Sequence, residues 1–297
     1  MLRRFKVGLL QGVFRSAFKE TIPEVARVAR PQAQMGPEDF RYNHGLLIAL
    51  AREAAGKGAD LVLGPESYLD GWSARPDVLQ AVATTIPGPE VDELCATAGE
   101  LGVWMCAGLF ERKGRDIYNS VVLLSSGGRI EGIYRKTHET AGVLRDMSYT
   151  LGDALPVFET PWGTVGILVC HDRWYPEAVR TLRSKGAGVV LNPVATAAFS
   201  PYHPYSDIHR CVLRAHAYQN ALFWISCNGA NHGGHSLVVA PDGRVVAEAS
   251  GEQEVAVVDL DADACEGYDF VSNLRVGLYA FPQRRARRGS DRYGRER

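Results

Sequence analysis

The sequence predicts an α/β protein in which strands and helices pack in layers. Short runs of strand-forming residues that stop abruptly at a polar residue are typical of buried strands, and such runs end at Glu66, Lys136 and Cys170. Segments with helical periodicity lie between the strands and follow a similar plan in both halves of the chain. Because ligands of layered α/β proteins bind where strands end, these three residues mark a predicted site.

The first half of the chain opens with a strand and a helix that precede Glu66. Apolar residues repeat with a helical period at Leu46, Leu47, Leu50, Ala51 and Ala54. In order, we predict a strand at 6–14, a helix at 39–56, a strand at 60–66, a helix at 90–101, and strands at 103–110, 117–124 and 129–134, with a hairpin turn at 125–128. Residues 14–37 are poorly periodic, and we interpret them as an insertion at the rim of the pocket.

The second half repeats this alternation. We predict a strand at 164–170, a helix from Pro176 with Ala178, Val179 and Leu182 inward, a strand at 188–192, a helix at 206–220, a strand at 223–228, a hairpin of 236–240 with 244–249, and a closing strand at 255–260. In the helix at 206–220, the apolar pattern predicts a face made of Ile208, Cys211, Val212 and Ala215. Cys211 is therefore expected to be a core thiol, like Cys95, Cys106 and Cys227.

Cys170 is placed unusually for a structural cysteine, because it closes an apolar run and polar residues follow at once. Structural cysteines normally lie inside apolar stretches, whereas a nucleophilic thiol needs neighbours that take or favour the loss of its proton. Taken singly, Cys170 could be structural, and Glu66 and Lys136 could be surface charges. Taken together, the three residues fit one mechanism.

Three motifs resemble the signature blocks of one superfamily. They are Pro65-Glu66 after a strand, Tyr134-Arg-Lys136-Thr-His, and Cys170-His-Asp-Arg-Trp-Tyr-Pro-Glu177. In order and spacing, from about Phe5 to about Asp261, they resemble the nitrilase superfamily, also called carbon–nitrogen hydrolases. The resemblance implies a four-layer αββα sandwich with Glu66, Lys136 and Cys170 as catalytic residues. It implies a carbon–nitrogen hydrolase domain at 1–265 and a C-terminal extension at 266–297. The basic tail of that extension is either a solvated terminus or a contact for a partner subunit or an anion.

The three side chains can be assigned steps of cysteine hydrolysis. Glu66 accepts the thiol proton, and the thiolate of Cys170 attacks the carbon of an amide or nitrile. Lys136 meets the developing negative charge, with the backbone N–H of His171 as a second donor. Loss of ammonia or an amine leaves a thioester, which a water activated by Glu66 hydrolyses. This chemistry needs no metal and no organic cofactor.

A fourth acidic position is expected some ten residues after the lysine, because many members of the resembled family carry a glutamate there. By spacing, Asp146 fits that position best and is predicted to be catalytic, although its carboxylate is one methylene shorter. Glu139 lies closer to the lysine and is a weaker candidate. The alternative is that both are solvated loop acids.

The residues that follow the nucleophile favour amides over nitriles. Cys170-His-Asp-Arg resembles amidases and N-carbamoyl-amino-acid hydrolases, whereas nitrilases typically carry Cys-Trp-Glu. The guanidinium of Arg173 could hold a substrate carboxylate in a bidentate contact, or it could form a salt bridge to Asp172 or Glu177. Further candidates for substrate binding are His171, Trp174, Asn192 and Tyr68, with packing or buried hydrogen bonding as the alternative for the last three.

Composition and charge argue against several classes of protein. The chain has 297 residues and a formal net charge of −1, so it lacks the basic excess of a protein that binds nucleic acid or an anionic membrane. No apolar stretch approaches the roughly 18 residues of a membrane span. The six cysteines form no C-x-x-C pair, and no histidine spacing suggests a metal site. A reduced, cytoplasmic setting is expected.

We therefore expect a cofactor-independent cysteine amidohydrolase for a small amide or N-carbamoyl compound that bears a carboxylate. A nitrilase or an amide-forming acyltransferase would use the same three residues. A catalytically silent binding protein on the same scaffold is the alternative from another class. The family resemblance also implies a homodimer or a higher homo-oligomer.

Overall fold

Two stacked sheets form the centre of the protein in the computed structural model, which describes residues 2–15, 35–71, 76–138, 149–196 and 207–261. The strands are β1 (Phe5–Gln11), β2 (Leu61–Leu63), β3 (Trp104–Lys113), β4 (Asp116–Leu124), β5 (Ile130–Arg135), β6 (Val157–Thr160), β7 (Gly163–Ile167), β8 (Val189–Val194), β9 (Phe223–Asn228), β10 (Leu237–Val239), β11 (Val245–Glu248) and β12 (Glu254–Leu260). The helices are α1 (Pro37–Gly56), α2 (Pro76–Val82), α3 (Pro89–Leu101), α4 (Pro176–Ser184) and α5 (Asp207–Asn220). Short 3₁₀ turns occur at Cys170–Trp174 and Ala230–His232.

Strand direction brings the predicted site residues to the same edge. Within the described residues, the first sheet has the order β12-β1-β2-β3-β4-β5 and the second has β11-β10-β9-β8-β7-β6. β1, β2 and β3 are mutually parallel, and so are β7, β8 and β9. β5 runs in the direction of β3, because two antiparallel pairings separate them. The segments after β2, β5 and β7 therefore begin at carboxyl ends of their sheets, where sites of α/β proteins form.

The layers follow from the alternation of side chains along each strand. In β3, Cys106 joins the core between the sheets, whereas Met105 and Ala107 join the core under α1 and α3. The sheets meet through β3 with β8 and through β1 with β9, while α4 and α5 cover the second sheet. The predicted four-layer αββα sandwich is confirmed.

A glycine in β1 sets the separation between the first sheet and its helix layer. A Cβ atom on Gly8 would lie 2.8 Å from the Cβ of Ala54 on α1, well inside van der Waals contact. Glycine therefore lets α1 pack directly on the strand. This matters for the site because the buried side chains of α1 also hold the segment that follows β2.

Helix α5 buries a different face from the one that the apolar pattern predicts. Ile208 is 64% exposed and Cys211 is exposed, whereas His209, His216 and Asn220 are buried. Hydrogen bonds stabilise the polar face, since His216 Nε2 donates to a backbone carbonyl 2.9 Å away and Asn220 Nδ2 donates to the carbonyl of His216 at 2.8 Å. The predicted inward face, and the prediction that Cys211 is a core thiol, were wrong, because the buried face combines Leu213 and Ala217 with polar residues that find hydrogen-bond partners.

The helices are close to the predicted ranges, but several strands differ. The strands predicted at 6–14 and 60–66 end at Gln11 and Leu63. The strand predicted at 164–170 ends at Ile167, and the chain turns before it reaches Cys170. β6 and α2 were not predicted. The insertion predicted at 14–37 lies mostly outside the described residues, as does the extension predicted at 266–297. Within the described ranges, every helix falls short of what a bilayer crossing requires.

Candidate active site

Glu66, Lys136 and Cys170 come together at the edge where the two sheets meet. Glu66 lies three residues after β2, Lys136 directly follows β5, and Cys170 opens the 3₁₀ turn after β7. All three side chains are buried, and the Nζ atom of Lys136 donates to Oε1 of Glu66 at 2.8 Å. The structure therefore brings these three residues together, with Lys136 bonded to Glu66 and in electrostatic interaction with Cys170, while the roles predicted for them stay predictions.

The carboxylate of Glu66 is held from both sheets. Asn119 Nδ2 on β4 donates to Oε1 at 2.8 Å, and the backbone N–H of Ala195, after β8, donates to Oε2 at 3.1 Å. Together with Lys136 these donors suit an ionised carboxylate, which only accepts hydrogen bonds. A Cβ atom on Gly108 of β3 would lie 2.9 Å from the carbonyl oxygen of Pro65, so glycine is required for this close approach.

Lys136 is a permanent cation in the interior. Burial by itself lowers the pKa of a lysine, but the nearby charges of Glu66 and Cys170 outweigh it and raise the pKa of Lys136 above its ordinary value. The ammonium therefore stays protonated at neutral pH. It is a fixed positive charge beside the sulfur, available to stabilise negative charge that develops there.

Cys170 adopts a left-handed backbone conformation with φ = 44°, which non-glycine residues rarely adopt. This strained residue begins the 3₁₀ turn that follows β7. Its sulfur lies 3.4 Å from Nη1 of Arg173 and 3.6 Å from Oγ1 of Thr196. The thiol is 8% exposed, so it lies at the base of the site rather than on the surface.

Asp172 ties the strand that carries the lysine to the turn that carries the nucleophile. Its buried carboxylate accepts hydrogen bonds from the hydroxyl of Tyr134 at 2.7 Å, from the backbone N–H of His138 at 2.8 Å and from the backbone N–H of Val169 at 2.9 Å. His138 lies two residues after Lys136, and Val169 lies directly before Cys170. One carboxylate thus links the segment that carries Lys136 to the segment that carries Cys170.

Replacement of Asp172 by asparagine is expected to destabilise this junction. The NH₂ group of asparagine would face hydrogen-bond donors where a carboxylate oxygen now accepts from them. Hydrogen bonds to a charged acceptor are worth about 1.5–3 kcal/mol each. We expect Asp172→Asn to lower the free energy of urea unfolding by about 2–4 kcal/mol. The exposed residue Asp207 offers a matched control, and Asp207→Asn should stay within about 0.5 kcal/mol of the parent. Equal stability of the two variants would contradict the role of Asp172.

His171 is a half-buried, neutral side chain next to Cys170 in the chain. Burial lowers its pKa to about 4, and the positive charges of Lys136 and Arg173 act in the same direction. Its ring packs edge-on against Tyr175 at 6.0 Å between centroids. A half-buried neutral imidazole can donate to or accept from a substrate, and the roles predicted for His171 stay predictions.

Asn192 and Trp174 have partners within the protein. Asn192 Nδ2 donates to the carbonyl of Leu168 at 2.7 Å, and its Oδ1 accepts from the hydroxyl of Ser226 at 2.9 Å. These bonds agree with the alternative of a buried hydrogen-bonding role. The indole of Trp174 packs edge-on against His209 at 5.9 Å. Its predicted contact with substrate stays a prediction.

Tyr68 lies on the helix side of the first sheet, two residues beyond Glu66. Its hydroxyl is 2.8 Å from Nδ1 of His44 on α1, and its ring packs edge-on against Phe14. Burial lowers the pKa of His44, so the ring is neutral and can pair with the phenol. These contacts anchor the segment that carries Glu66, while its contact with substrate stays a prediction. Asp146 and Glu139, the candidates for a fourth acid, lie outside the described residues.

The sequence analysis missed Thr196. It follows β8, which runs parallel to β7, so its position after a strand end is equivalent to that of Cys170. The rule that sites form at carboxyl ends of parallel strands could have singled it out. Within the described residues, no group of three or more histidine, cysteine or acidic side chains is arranged to hold a metal ion.

A thiol, a carboxylate and an ammonium buried together at strand ends are the components of a cysteine-dependent hydrolase. The chain belongs to the carbon–nitrogen hydrolase family, whose model matches residues 27–270. It is thus an enzyme of the nitrilase superfamily that acts on non-peptide C–N bonds.

Several relatives of this chain carry the names of amidases. The chain is 31% identical to deaminated glutathione amidase from Mus musculus over 293 residues, which cover 91% of this chain and 87% of that protein. It is 29% identical to N-carbamoylputrescine amidase from Arabidopsis thaliana, over 75% of this chain and 83% of that protein. The amidase assignment therefore agrees with the interpretation of the motifs.

Solved structures support the fold. An amidase from Nesterenkonia sp. matches with a TM-score of 0.73 and 23% identity, over 92% of this chain and 94% of that one. In a variant of the Nesterenkonia amidase, the acetamide moiety of fluoroacetamide is added covalently at the active-site cysteine. At this level of identity the likeness concerns the architecture.

Proposed function

We propose that the protein hydrolyses a small amide or N-carbamoyl compound that bears a carboxylate, through a thioester on Cys170. The observation that carries the proposal is the buried carboxylate of Glu66, held by Lys136 and by the backbone of the segment after β8, beside a strained cysteine. A base, a fixed cation and a nucleophile are thereby available within one buried site.

The reaction proceeds in two half-reactions. The thiol proton of Cys170 moves to Glu66 and the sulfur attacks the carbonyl carbon, while the ammonium of Lys136 stabilises the oxyanion. The C–N bond then breaks, Glu66 returns the proton to the leaving nitrogen, and a thioester remains. In the second half-reaction Glu66 removes a proton from water, whose oxygen attacks the thioester, and the sulfur leaves and recovers a proton.

The charge of the site supports an anionic substrate. The guanidinium of Arg173 is a buried cation at the sulfur of Cys170. A carboxylate elsewhere on the substrate would be attracted by this cation, whereas an ammonium group would be repelled at low dielectric.

A panel of amides that differ in one charged group tests the substrate class. We expect the kcat/KM for ammonia release from succinamate to be about tenfold or more above that for butyramide, because the anionic group is attracted by the buried cation. The kcat/KM for 4-aminobutanamide should be lower than that for butyramide, because its ammonium group is repelled. N-carbamoyl-β-alanine should likewise exceed N-carbamoylputrescine. A preference for the cationic member of both series would contradict the proposal.

The same assay distinguishes the alternatives. Hydroxylamine should divert part of the product to a hydroxamate, because an amine nucleophile attacks a thioester. Faster turnover of butyronitrile than of butyramide would indicate a nitrilase. Amide formation with added amines at the expense of hydrolysis would indicate an acyltransferase. Binding of the carboxylated amide without ammonia or hydroxamate would indicate a silent member of the family.

A further inference from the structure

The guanidinium of Arg173 lies directly against the nucleophile. Its side chain is 1% exposed, and Nη1 donates to the sulfur of Cys170 at 3.4 Å. Nη2 of the same group donates to Oγ1 of Thr196 at 3.2 Å, and that hydroxyl lies 3.6 Å from the sulfur. The sulfur, the hydroxyl and the guanidinium edge therefore form a closed triangle of contacts.

The surrounding structure holds this triangle in place. Asn228 brackets Thr196, since its Oδ1 accepts from the backbone N–H at 3.1 Å and its Nδ2 donates to the carbonyl at 3.2 Å. The carbonyl of Arg173 accepts a hydrogen bond from Nε2 of His216 at 2.9 Å. Hydrogen bonds to their backbone atoms therefore hold Thr196 and Arg173 beside the sulfur before any substrate binds.

We propose that Arg173 is a catalytic residue that stabilises the Cys170 thiolate, and that Thr196 orients the sulfur for attack. When the S–H bond breaks, the proton passes to Glu66 and the electron pair stays on the sulfur, where Nη1 of Arg173 faces it. A hydrogen bond from a cation to an anion is stronger than one between neutral groups. The proposal deepens the proposed function and rests on its assignment of Cys170 as nucleophile.

In this proposal the two buried cations have different roles. Lys136 is bonded to Glu66 and serves the oxyanion, whereas Arg173 serves the sulfur in the free enzyme. The edge of Arg173 that would grip a carboxylate in a bidentate contact is the edge that contacts the sulfur and Thr196. Loss of Arg173 should therefore slow every substrate, charged or neutral.

Alkylation of Cys170 tests the proposal without a substrate. The rate of carbamidomethylation by iodoacetamide at pH 7 would be measured on the Cys170 peptide by mass spectrometry, so that the other thiols do not contribute. We expect Arg173→Gln to slow the reaction by about 10- to 100-fold. Arg173→Lys should slow it less, because a lysine keeps the positive charge but lacks the two NH₂ groups of the planar guanidinium. Arg115→Gln removes an exposed charge and should leave the rate unchanged.

Thr196 provides variants that are less disruptive to the fold. Thr196→Val keeps the shape and removes the hydroxyl, and it should slow alkylation about 3- to 10-fold, while Thr196→Ser should retain the parent rate. Added guanidinium chloride should restore part of the rate of Arg173→Ala, and sodium chloride should not. If Arg173→Gln fails to give the native circular dichroism spectrum, the Thr196 pair decides the outcome.

Two results would overturn the proposal. One is an unchanged alkylation rate in folded Arg173→Gln with kcat/KM lost for succinamate alone, which assigns Arg173 to the substrate carboxylate. The other is an equal alkylation rate in Thr196→Val, Thr196→Ser and the parent. Failure of the proposed function would be seen differently, as absence of ammonia release by the parent protein on the whole panel.

Discussion

Cys170→Ala is expected to reduce kcat for amide hydrolysis by about 10⁴-fold or more. Removal of the nucleophile eliminates the covalent route, and only binding and oxyanion stabilisation remain to accelerate the attack of water. Ammonia release under single-turnover and steady-state conditions would measure the loss. Substrate binding should persist, because the fixed charges of Glu66 and Lys136 are untouched.

The exposed thiol of Cys211 supplies a matched control. Cys211→Ala should keep full activity, since α5 presents that side chain to solvent on the face opposite its buried histidines. Iodoacetamide should inactivate the parent enzyme and the Cys211→Ala variant at similar rates. Retained turnover in Cys170→Ala, or inactivation that follows the labelling of another cysteine, would refute the assignment of the nucleophile.

Lys136→Met is expected to lower kcat by about 10²- to 10³-fold and to change KM only a few-fold. The ammonium stabilises charge that exists in the transition state, and losing one such group costs about 3–4 kcal/mol. Methionine is of similar length and neutral, so it removes the charge with little change in volume. A rise in KM at constant kcat would mean that Lys136 binds substrate in its ground state.

A double variant separates catalysis from stability. Lys136→Met leaves the carboxylate of Glu66 buried without its cation and should lower the free energy of unfolding by about 3–5 kcal/mol. Glu66→Gln combined with Lys136→Met should recover much of that loss, because a neutral amide no longer needs a counter-charge. Activity should not return. Recovery of turnover together with stability would contradict the roles of Glu66 as base and of Lys136 as oxyanion partner.

The family resemblance predicted the four layers, and the sequence pattern singled out the three central residues of the site. Strand-forming runs that stop at a polar residue are local features, so Glu66, Lys136 and Cys170 could be found without knowledge of the contacts between them. The strand before Cys170 nevertheless ends at Ile167, although the apolar run continues to Val169.

The partners of the site could not be predicted, because each is set by pairing across the fold. Thr196 meets the sulfur only through the parallel register of β7 with β8, and Asp172 meets Tyr134 across the junction of the sheets. The prediction of the buried face of α5 was wrong for a related reason. By hydrophobicity alone, Ile208 is expected to be buried before His216. The histidine is buried instead, because it donates a hydrogen bond to a backbone carbonyl inside the protein.

The hydrogen bond from the backbone of Ala195 to Glu66 crosses from the second sheet to the first, and it has a consequence for folding. Glu66 and Lys136 belong to one sheet, while Cys170 and Ala195 belong to the other. The residues of the site come together only when the two sheets dock. Recovery of activity during refolding is therefore expected to report that docking rather than the formation of secondary structure.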